Sequence, residues 1–161
     1  MLRGFIMFKN VLVPYDRSDN ARHALREAVN LVKDDPEGKI TVLHVAVMPD
    51  FDDPMFVAAA QMAGVTAVSK SDALAAQRSY YDSQKQTIIN EAATYVEPMR
   101  DRVVYRVTSG KPQDAIAEFA DSGLYDLIVM GCRGLGALRG MLGSVSYAVL
   151  RSVDLPVLIV K

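Results

Sequence analysis

The feature that most constrains the fold is the regular alternation of short apolar runs with segments of helical periodicity. Five runs have the length and the β-branched composition of buried strands, and they are residues 10–15, 39–45, 103–107, 126–130 and 155–160. Four segments between them carry apolar residues at helical spacing, and they are residues 21–32, 73–96, 113–122 and 144–152. This alternation favours an open α/β sheet of parallel strands with helices on both faces.

The β-branched runs at residues 10–15 and 39–45 enclose the first helical segment. Ser18 or Asp19 is placed to cap that helix, and the Pro-containing stretch 34–38 predicts a turn after it. A strand–helix–strand unit of this kind implies parallel strands joined by a right-handed crossover.

Two parts of the chain lie outside this regular pattern. Residues 48–72 hold two prolines and several aspartates around an apolar stretch, and we expect them to form a long, partly helical loop over one edge of the sheet. Residues 1–6 precede a second methionine, Met7, and are interpreted as an upstream start or an N-terminal extension. We expect residues 1–161 to form a single domain.

Composition argues against several classes of partner. The chain has 18 basic and 19 acidic residues without long like-signed blocks, so we expect no nucleic-acid or membrane surface. No apolar run approaches the roughly 20 residues of a membrane span. The single cysteine, Cys132, forms no intramolecular disulfide and fits a reducing compartment. These observations predict a soluble cytoplasmic protein.

Residues with catalytic or metal-ligating chemistry are sparse. The two histidines, His23 and His44, are far apart in sequence, and His44 lies inside a predicted strand as a satisfied core or interface residue. No Ser/His/Asp or Cys/His constellation and no metal-ligand spacing is evident. Cys132 is interpreted as a small buried hydrophobic residue. We therefore predict neither catalytic residues nor a metal site built from side chains.

Residues 131–144, GCRGLGALRGMLGS, contain five glycines in fourteen positions. The segment joins an apolar strand that ends near Gly131 to a helix that begins near Gly143 and Ser144. In this context the amides at the helix N-terminus can bind phosphate, and glycine leaves room near the backbone. Ser144 can cap the helix and offer its hydroxyl, and Arg133 can add charge. Phosphate binding is the favoured interpretation, and a flexible loop with a glycine-assisted helix start is the alternative.

The glycine segment is neither of the two common nucleotide motifs. No Gly-Lys-Ser/Thr follows, so the lysine of the Walker motif is missing. The GxGxxG fingerprint fits poorly, because this loop lies late in the chain and is too long.

Several stretches together resemble the nucleotide-binding, UspA-like branch of the universal stress protein family. They are residues 11–16 with Ser18, residues 43–45, residues 110–112, the glycine segment through Ser146, and residues 156–160. The resemblance covers residues 7–161 apart from the loop near 48–72. It implies a Rossmann-like five-stranded parallel sheet of order 3-2-1-4-5, with ATP bound at the carboxyl ends of the strands.

The resemblance also implies a set of binding residues and a ligand. The cofactor-binding residues would be Asp16, Val45, Gly131, Arg133, Gly134, Gly143, Ser144 and Val145. Asp16 would face the adenosine, and Val45 would offer backbone groups to the adenine edge. The first glycines would let the chain approach ribose and phosphates, and the residues that begin the last helix would bind the phosphates. The ligand would be ATP, or AMP or ADP, with Mg²⁺.

Two features depart from the family pattern. The family has nine residues between its second glycine and the Gly-Ser/Thr pair, whereas only eight, residues 135–142, separate Gly134 from Gly143 here. The loop is one residue short, which can tighten the phosphate loop or misplace the amide of Gly143. The second departure is Arg17, where a glycine or an apolar residue is commoner. Its long side chain is placed to screen or cover the site.

The function implied is regulatory, with nucleotide occupancy ordering the glycine segment and changing what a dimer presents to an unidentified protein partner. The last strand, Leu155 to Val160, is apolar and would lie at the sheet edge, so it is the homodimer candidate. An interaction module without nucleotide binding, and a slow ATPase or phosphotransferase, are the alternatives.

Overall fold

The computed structural model of the protein describes residues 8–47, 55, 58, 61–62, 64, 70–134 and 142–161. Its strands are β1 Asn10–Pro14, β2 Lys39–Ala46, β3 Val103–Ser109, β4 Leu127–Gly131 and β5 Val157–Val160. Its helices of described bounds are α1 Asp19–Val32, α2 Lys70–Val96, α3 Pro112–Asp121 and α4 Ser144–Ser152, with a 3-10 helix, Glu97–Arg102, directly after α2.

The strands form one parallel sheet of order β3-β2-β1-β4-β5. This confirms the predicted α/β fold class and the strand order 3-2-1-4-5. In the register, Val11 of the central strand β1 lies between Ile40 of β2 and Leu127 of β4. The strand order reverses between β1 and β4, and in open α/β sheets a ligand crevice lies at that point.

Helices cover both faces of the sheet, because β1 alternates its apolar side chains between them. Val11 and Val13 pack in one core with α1 and α2. Leu12 packs in a second core with Ile116 of α3 and Val149 of α4. All five residues of β4 are buried, as expected for a strand between two helical layers.

Several boundaries differ from the sequence-based expectation by a few residues. Helix α2 begins at Lys70, so the last residues of the expected loop 48–72 are helical. Within the earlier part of that loop, the described residues 55, 58 and 61–62 also have helical backbone. Gly64 lies in a turn, and the remaining residues of 48–69 and the expected extension at residues 1–6 lie outside the described part of the chain.

Within the described residues, no helix combines the length and the apolar character that crossing a membrane requires. Helix α2 is the longest of them, and its sequence is rich in polar side chains.

Candidate functional site

A crevice of about 550 Å³ opens where β1 and β4 separate. Their pairing ends at Leu12 and Ile128. Backbone groups of alternate residues point to opposite neighbours, so the next residue of β1 that faces β4 is Pro14. Proline has no amide to donate, and the ladder therefore stops there. The crevice lies at the carboxyl ends of the strands, beside the point at which the strand order reverses.

All eight predicted binding residues line this one crevice, and they are Asp16, Val45, Gly131, Arg133, Gly134, Gly143, Ser144 and Val145. Pro112 and Ile116 from α3 and Ser146 from α4 also line it, and no binding role was predicted for them from the sequence. The fold thus brings the predicted set together, and the role of each residue in binding stays a prediction.

The turn between β1 and α1 fixes the carboxylate of Asp16. One of its oxygens, Oδ1, accepts the amide of Ser18 at 3.0 Å. The Ser18 hydroxyl in turn accepts the amide of Ala21 at 3.2 Å and caps α1. Of the two predicted caps, Ser18 is therefore the one used. Asp16 is tied into the start of α1 rather than free to rotate.

Arg17, the next residue of this turn, extends away from the crevice. Its backbone lies in the left-handed region with φ of 70°, and its Nε donates to both carboxylate oxygens of Glu91 on α2 at 3.0 Å. It does not line the crevice, so the prediction that it covers the site is wrong. The hydrogen bond from Arg17 lowers the pKa of Glu91, and the pKa of Arg17 is raised by the same bond.

The space left by the first two glycines of the glycine segment is filled by the protein itself. A Cβ at Gly131 would lie 2.8 Å from the Cβ of Asn20 and 3.1 Å from the amide nitrogen of Ala21. A Cβ at Gly134 would overlap Oδ2 of Asp16. Neither glycine is among the residues with positive φ. Close approach between parts of the chain therefore accounts for both glycines, and their role in letting the chain approach ribose and phosphates stays a prediction.

The N-terminus of α4 presents free donors to the crevice. Gly143, not Ser144, is the N-cap of this helix, and no side chain caps it. The amide of Gly143 donates to the carbonyl of Cys132 at 2.8 Å, so within the described residues the amides without a partner begin at Ser144. The Ser146 hydroxyl donates to the carbonyl of Gly131 at 2.9 Å and holds the helix against β4. The positive end of the helix dipole thus faces the cavity.

Two further contacts hold the chain that follows β4. The side-chain amide of Asn20 donates to the carbonyl of Arg133 at 3.2 Å. Cys132 is buried, as predicted, and its amide donates to the carbonyl of Val160 on β5 at 2.7 Å. Asn20 was missed because its only sequence signal is a polar side chain in the first turn of α1.

Val45 offers an open backbone edge to the crevice. Strand β2 continues to Ala46, whereas its register with β1 ends at Leu43. The Leu43 carbonyl accepts the amide of Tyr15 at 2.8 Å, so Leu43 faces β1. Residues two apart in a strand face the same side. The N–H and C=O of Val45 therefore point past the end of β1, at the wall of the cavity.

The two sides of the crevice differ in chemistry. Leu43, Ile116 and Met130 give it an apolar wall, which suits a flat aromatic ring. Asp16 and Arg133 are its charged lining residues within the described part of the chain. In that same part, no group of three or more His, Cys, Asp or Glu side chains is placed to hold a metal ion.

Comparisons with known proteins show which sequences and folds this chain is similar to. The stress response protein NhaX of Bacillus subtilis is 31% identical over 161 residues, covering 94% of this chain and 96% of the relative. The crystal structure of a universal stress protein in complex with cAMP matches with a TM-score of 0.63 and 25% identity, over 96% of this chain and 98% of that one.

A universal stress protein family protein from Arabidopsis thaliana with AMP bound has the same fold. It matches with a TM-score of 0.57 and 19% identity, over 95% of this chain and 91% of that one. The sequence model of the universal stress protein family matches residues 7–161. On its sequence and its fold, the chain belongs to the universal stress protein family.

Proposed function

We propose that the protein binds an adenine nucleotide in the crevice between β1 and β4 and acts as a regulatory module in the stress response, without efficient catalysis. The observation that carries this proposal is the uncapped N-terminus of α4 facing the same cavity as the open backbone edge of Val45. The N-terminus of α4 suits a phosphate, and the backbone edge of Val45 suits a base. We place this function in the cytoplasm.

At the phosphate end of the crevice, binding would depend on hydrogen-bond donors rather than on many cationic side chains. The amides of Ser144 and Val145 belong to the first turn of α4 and have no helical partner. The Ser144 hydroxyl adds a third donor, and Arg133 lines the same cavity. Amides at a helix N-terminus bind phosphate through direct hydrogen bonds and through the helix dipole.

The base end rests on the apolar wall and on the backbone of Val45. Leu43 and Ile116 line the cavity and can pack against a ring. One edge of adenine carries a ring nitrogen acceptor beside an amino donor, which complements the N–H and C=O of a single residue. The bound cAMP and AMP of the two structural neighbours support an adenine ligand.

ATP, AMP and ADP all fit this description, and Mg²⁺ would accompany the longer phosphate chains. Asp16 is the carboxylate that lines the crevice within the described residues. Mg²⁺ is usually held by one or two carboxylates together with substrate phosphates. Asp16 is therefore the side chain that would hold the ion, and the ion would neutralise phosphate charge.

An interaction module without nucleotide is the second candidate function. The observation that favours it concerns the amide of Gly143. This amide donates to the carbonyl of Cys132 and is therefore not available to a phosphate. The stretch 135–142, which is one residue shorter than in the family pattern, directly precedes this glycine in the sequence.

The first experiment identifies any nucleotide released when freshly purified protein is denatured, followed by calorimetric titration with ATP, ADP and AMP, each with and without Mg²⁺. Bound or titratable nucleotide without appreciable turnover supports the proposal. An empty protein that ignores all three supports the interaction module, and rapid turnover supports an enzyme.

A matched pair of variants tests the phosphate end. Gly143 is extended, with φ of −63° and ψ of 150°, which is the conformation favoured before proline. Proline is also tolerated at the first position of a helix. Ser144→Pro therefore keeps α4 and removes one amide donor and the hydroxyl, whereas Ser144→Ala removes the hydroxyl alone.

We expect Ser144→Pro to weaken nucleotide binding by about 10- to 100-fold, because a hydrogen bond to a charged group contributes about 1.5–3 kcal/mol. Ser144→Ala should weaken it less. Calorimetry measures both affinities, and equal affinity in the wild type and Ser144→Pro would contradict the assignment of α4 to the phosphate.

A further inference from the structure

The pairing of β1 with β2 stops one hydrogen bond earlier than its register allows. The amide of Tyr15 donates to the carbonyl of Leu43 at 2.8 Å. In a regular parallel ladder the next bond runs from the amide of Val45 to the carbonyl of Tyr15. Within the described residues that bond is not formed. The Tyr15 carbonyl instead lies 2.8 Å from Nδ1 of His44.

The chemistry of this contact fixes the proton on His44. A carbonyl only accepts hydrogen bonds, so Nδ1 carries the hydrogen and donates it. The ring is part-buried in this contact. Its strand neighbours Ile40 and Val42 pack in the core formed with α1 and α2, and Glu91 of α2 lies close enough to interact with the ring electrostatically.

We infer that His44 is a positioning residue that keeps the backbone of Val45 open to the ligand. Its imidazole donates a hydrogen bond to the Tyr15 carbonyl, to which the Val45 amide would otherwise donate. The N–H and C=O of Val45 then remain together at the cavity wall as a donor and acceptor pair. For its ligand, the inference rests on the proposed function, which already assigns base recognition to this pair.

The pair also sets which base is accepted. Adenine presents a ring-nitrogen acceptor beside an amino donor on one edge. At the same two positions guanine presents a ring N–H donor beside a carbonyl acceptor, which is the reverse order. A single backbone N–H and C=O in fixed order complements adenine. Without the histidine, the β1–β2 ladder would gain one hydrogen bond, from the Val45 amide to the Tyr15 carbonyl. That amide would then be unavailable to the base.

Amide hydrogen exchange of the ligand-free protein tests the inference without any nucleotide. We expect the Val45 amide to exchange quickly in the wild type, because it has no hydrogen-bond partner among the described residues. In His44→Leu it should exchange at least tenfold more slowly, because it takes the freed Tyr15 carbonyl. His44→Asn should restore fast exchange, since its side-chain amide can donate where Nδ1 does.

Slow exchange of Val45 in the wild type would overturn the inference, as would equal rates in the wild type and His44→Leu. A slow wild-type rate overturns the inference even if a variant fails to fold. Urea denaturation of each variant shows whether it is folded, so that its exchange rates can be compared with those of the wild type.

Calorimetry with AMP and with ribose 5-phosphate gives a second readout. His44→Leu should weaken AMP binding about tenfold and leave ribose 5-phosphate unchanged, and His44→Asn should restore AMP affinity. An equal loss for both ligands would overturn the inference, because it would indicate a general structural effect. If the wild type binds neither ligand, the proposed function fails, whereas the exchange rates still decide the role of His44.

Discussion

At the scale of single residues, the turn after β1 shows how a side chain can be diverted from a site by one ion pair. Arg17 follows Asp16 directly, yet its left-handed backbone and its contact with Glu91 direct it to α2. A left-handed conformation costs a non-glycine residue roughly 1–2 kcal/mol. The capped start of α1 at Ser18 and the ion pair together hold Arg17 in it.

This ion pair makes stability depend on pH. Its hydrogen bond from Arg17 lowers the pKa of Glu91 below the ordinary value of 4.5. Folded Glu91 therefore binds its proton less readily than unfolded Glu91. Its contribution is fully present above about pH 4.5 and is lost as the pH falls through the lower, folded pKa.

We expect Glu91→Gln to reduce the free energy of unfolding by about 0.5–1 kcal/mol at pH 7, because both partners are partly exposed. The difference from the wild type should shrink as the pH falls below 4.5. Urea denaturation between pH 3 and pH 7 measures it. Glu97→Gln, in the more exposed pair with Arg100, is the control and should have a smaller effect. A difference that grows towards low pH would contradict the assignment.

At the scale of elements, the first glycines of the glycine segment allow close packing where β4 ends. Helix α1 approaches β4 so closely that a side chain at Gly131 would meet Asn20 and Ala21. The same approach lets Asn20 hold the carbonyl of Arg133. The position of α1 therefore determines where the chain runs as it leaves β4 towards the crevice.

We expect Gly131→Ala to lower the free energy of unfolding by about 1–3 kcal/mol, the usual range for overpacking. The new methyl group would meet atoms of α1, including backbone, that cannot give way easily. Gly134→Ala is the matched variant, because its methyl group meets only the carboxylate of Asp16. It should cost less stability while displacing Asp16. Urea denaturation compares the two, and equal losses would contradict this account.

At the scale of the whole molecule, the sheet has two edge strands, β3 and β5. Edge strands carry unpaired backbone groups that can pair with another chain. Leu158 of β5 is 39% exposed, and Leu150 of the neighbouring helix α4 is 41% exposed. We propose that this apolar surface around β5 pairs with a second copy of the chain.

We expect Leu158→Lys to shift the protein from dimer to monomer in light scattering, because a buried lysine would lose its hydration at the interface. Val104→Lys on β3 is the matched control, since Val104 is 41% exposed on the other edge. It should leave the oligomeric state unchanged. A wild type that is monomeric, or a dimer that only Val104→Lys disrupts, would contradict the proposed interface.

Local sequence patterns predicted most of the strands and helices, because strand and helix periodicities are properties of neighbouring residues. The bounds of the five strands were predicted to within two residues from their apolar runs. The resemblance then supplied the strand order and the eight residues that line the crevice. Boundaries were less accurate, and the first strand ends at Pro14 because proline cannot continue the ladder towards β4.

The sequence by itself determined the α/β class, the central apolar strands and the glycine segment that leads into the last helix. Only the tertiary structure decided what those glycines adjoin and where Arg17 points. It also decided that His44 holds Tyr15. The reason is physical: the contacts of His44 with Tyr15, of Arg17 with Glu91 and of Asn20 with Arg133 join residues that are 29, 74 and 113 positions apart in the chain. Short-range periodicity specifies the elements, whereas such contacts exist only once the elements have packed.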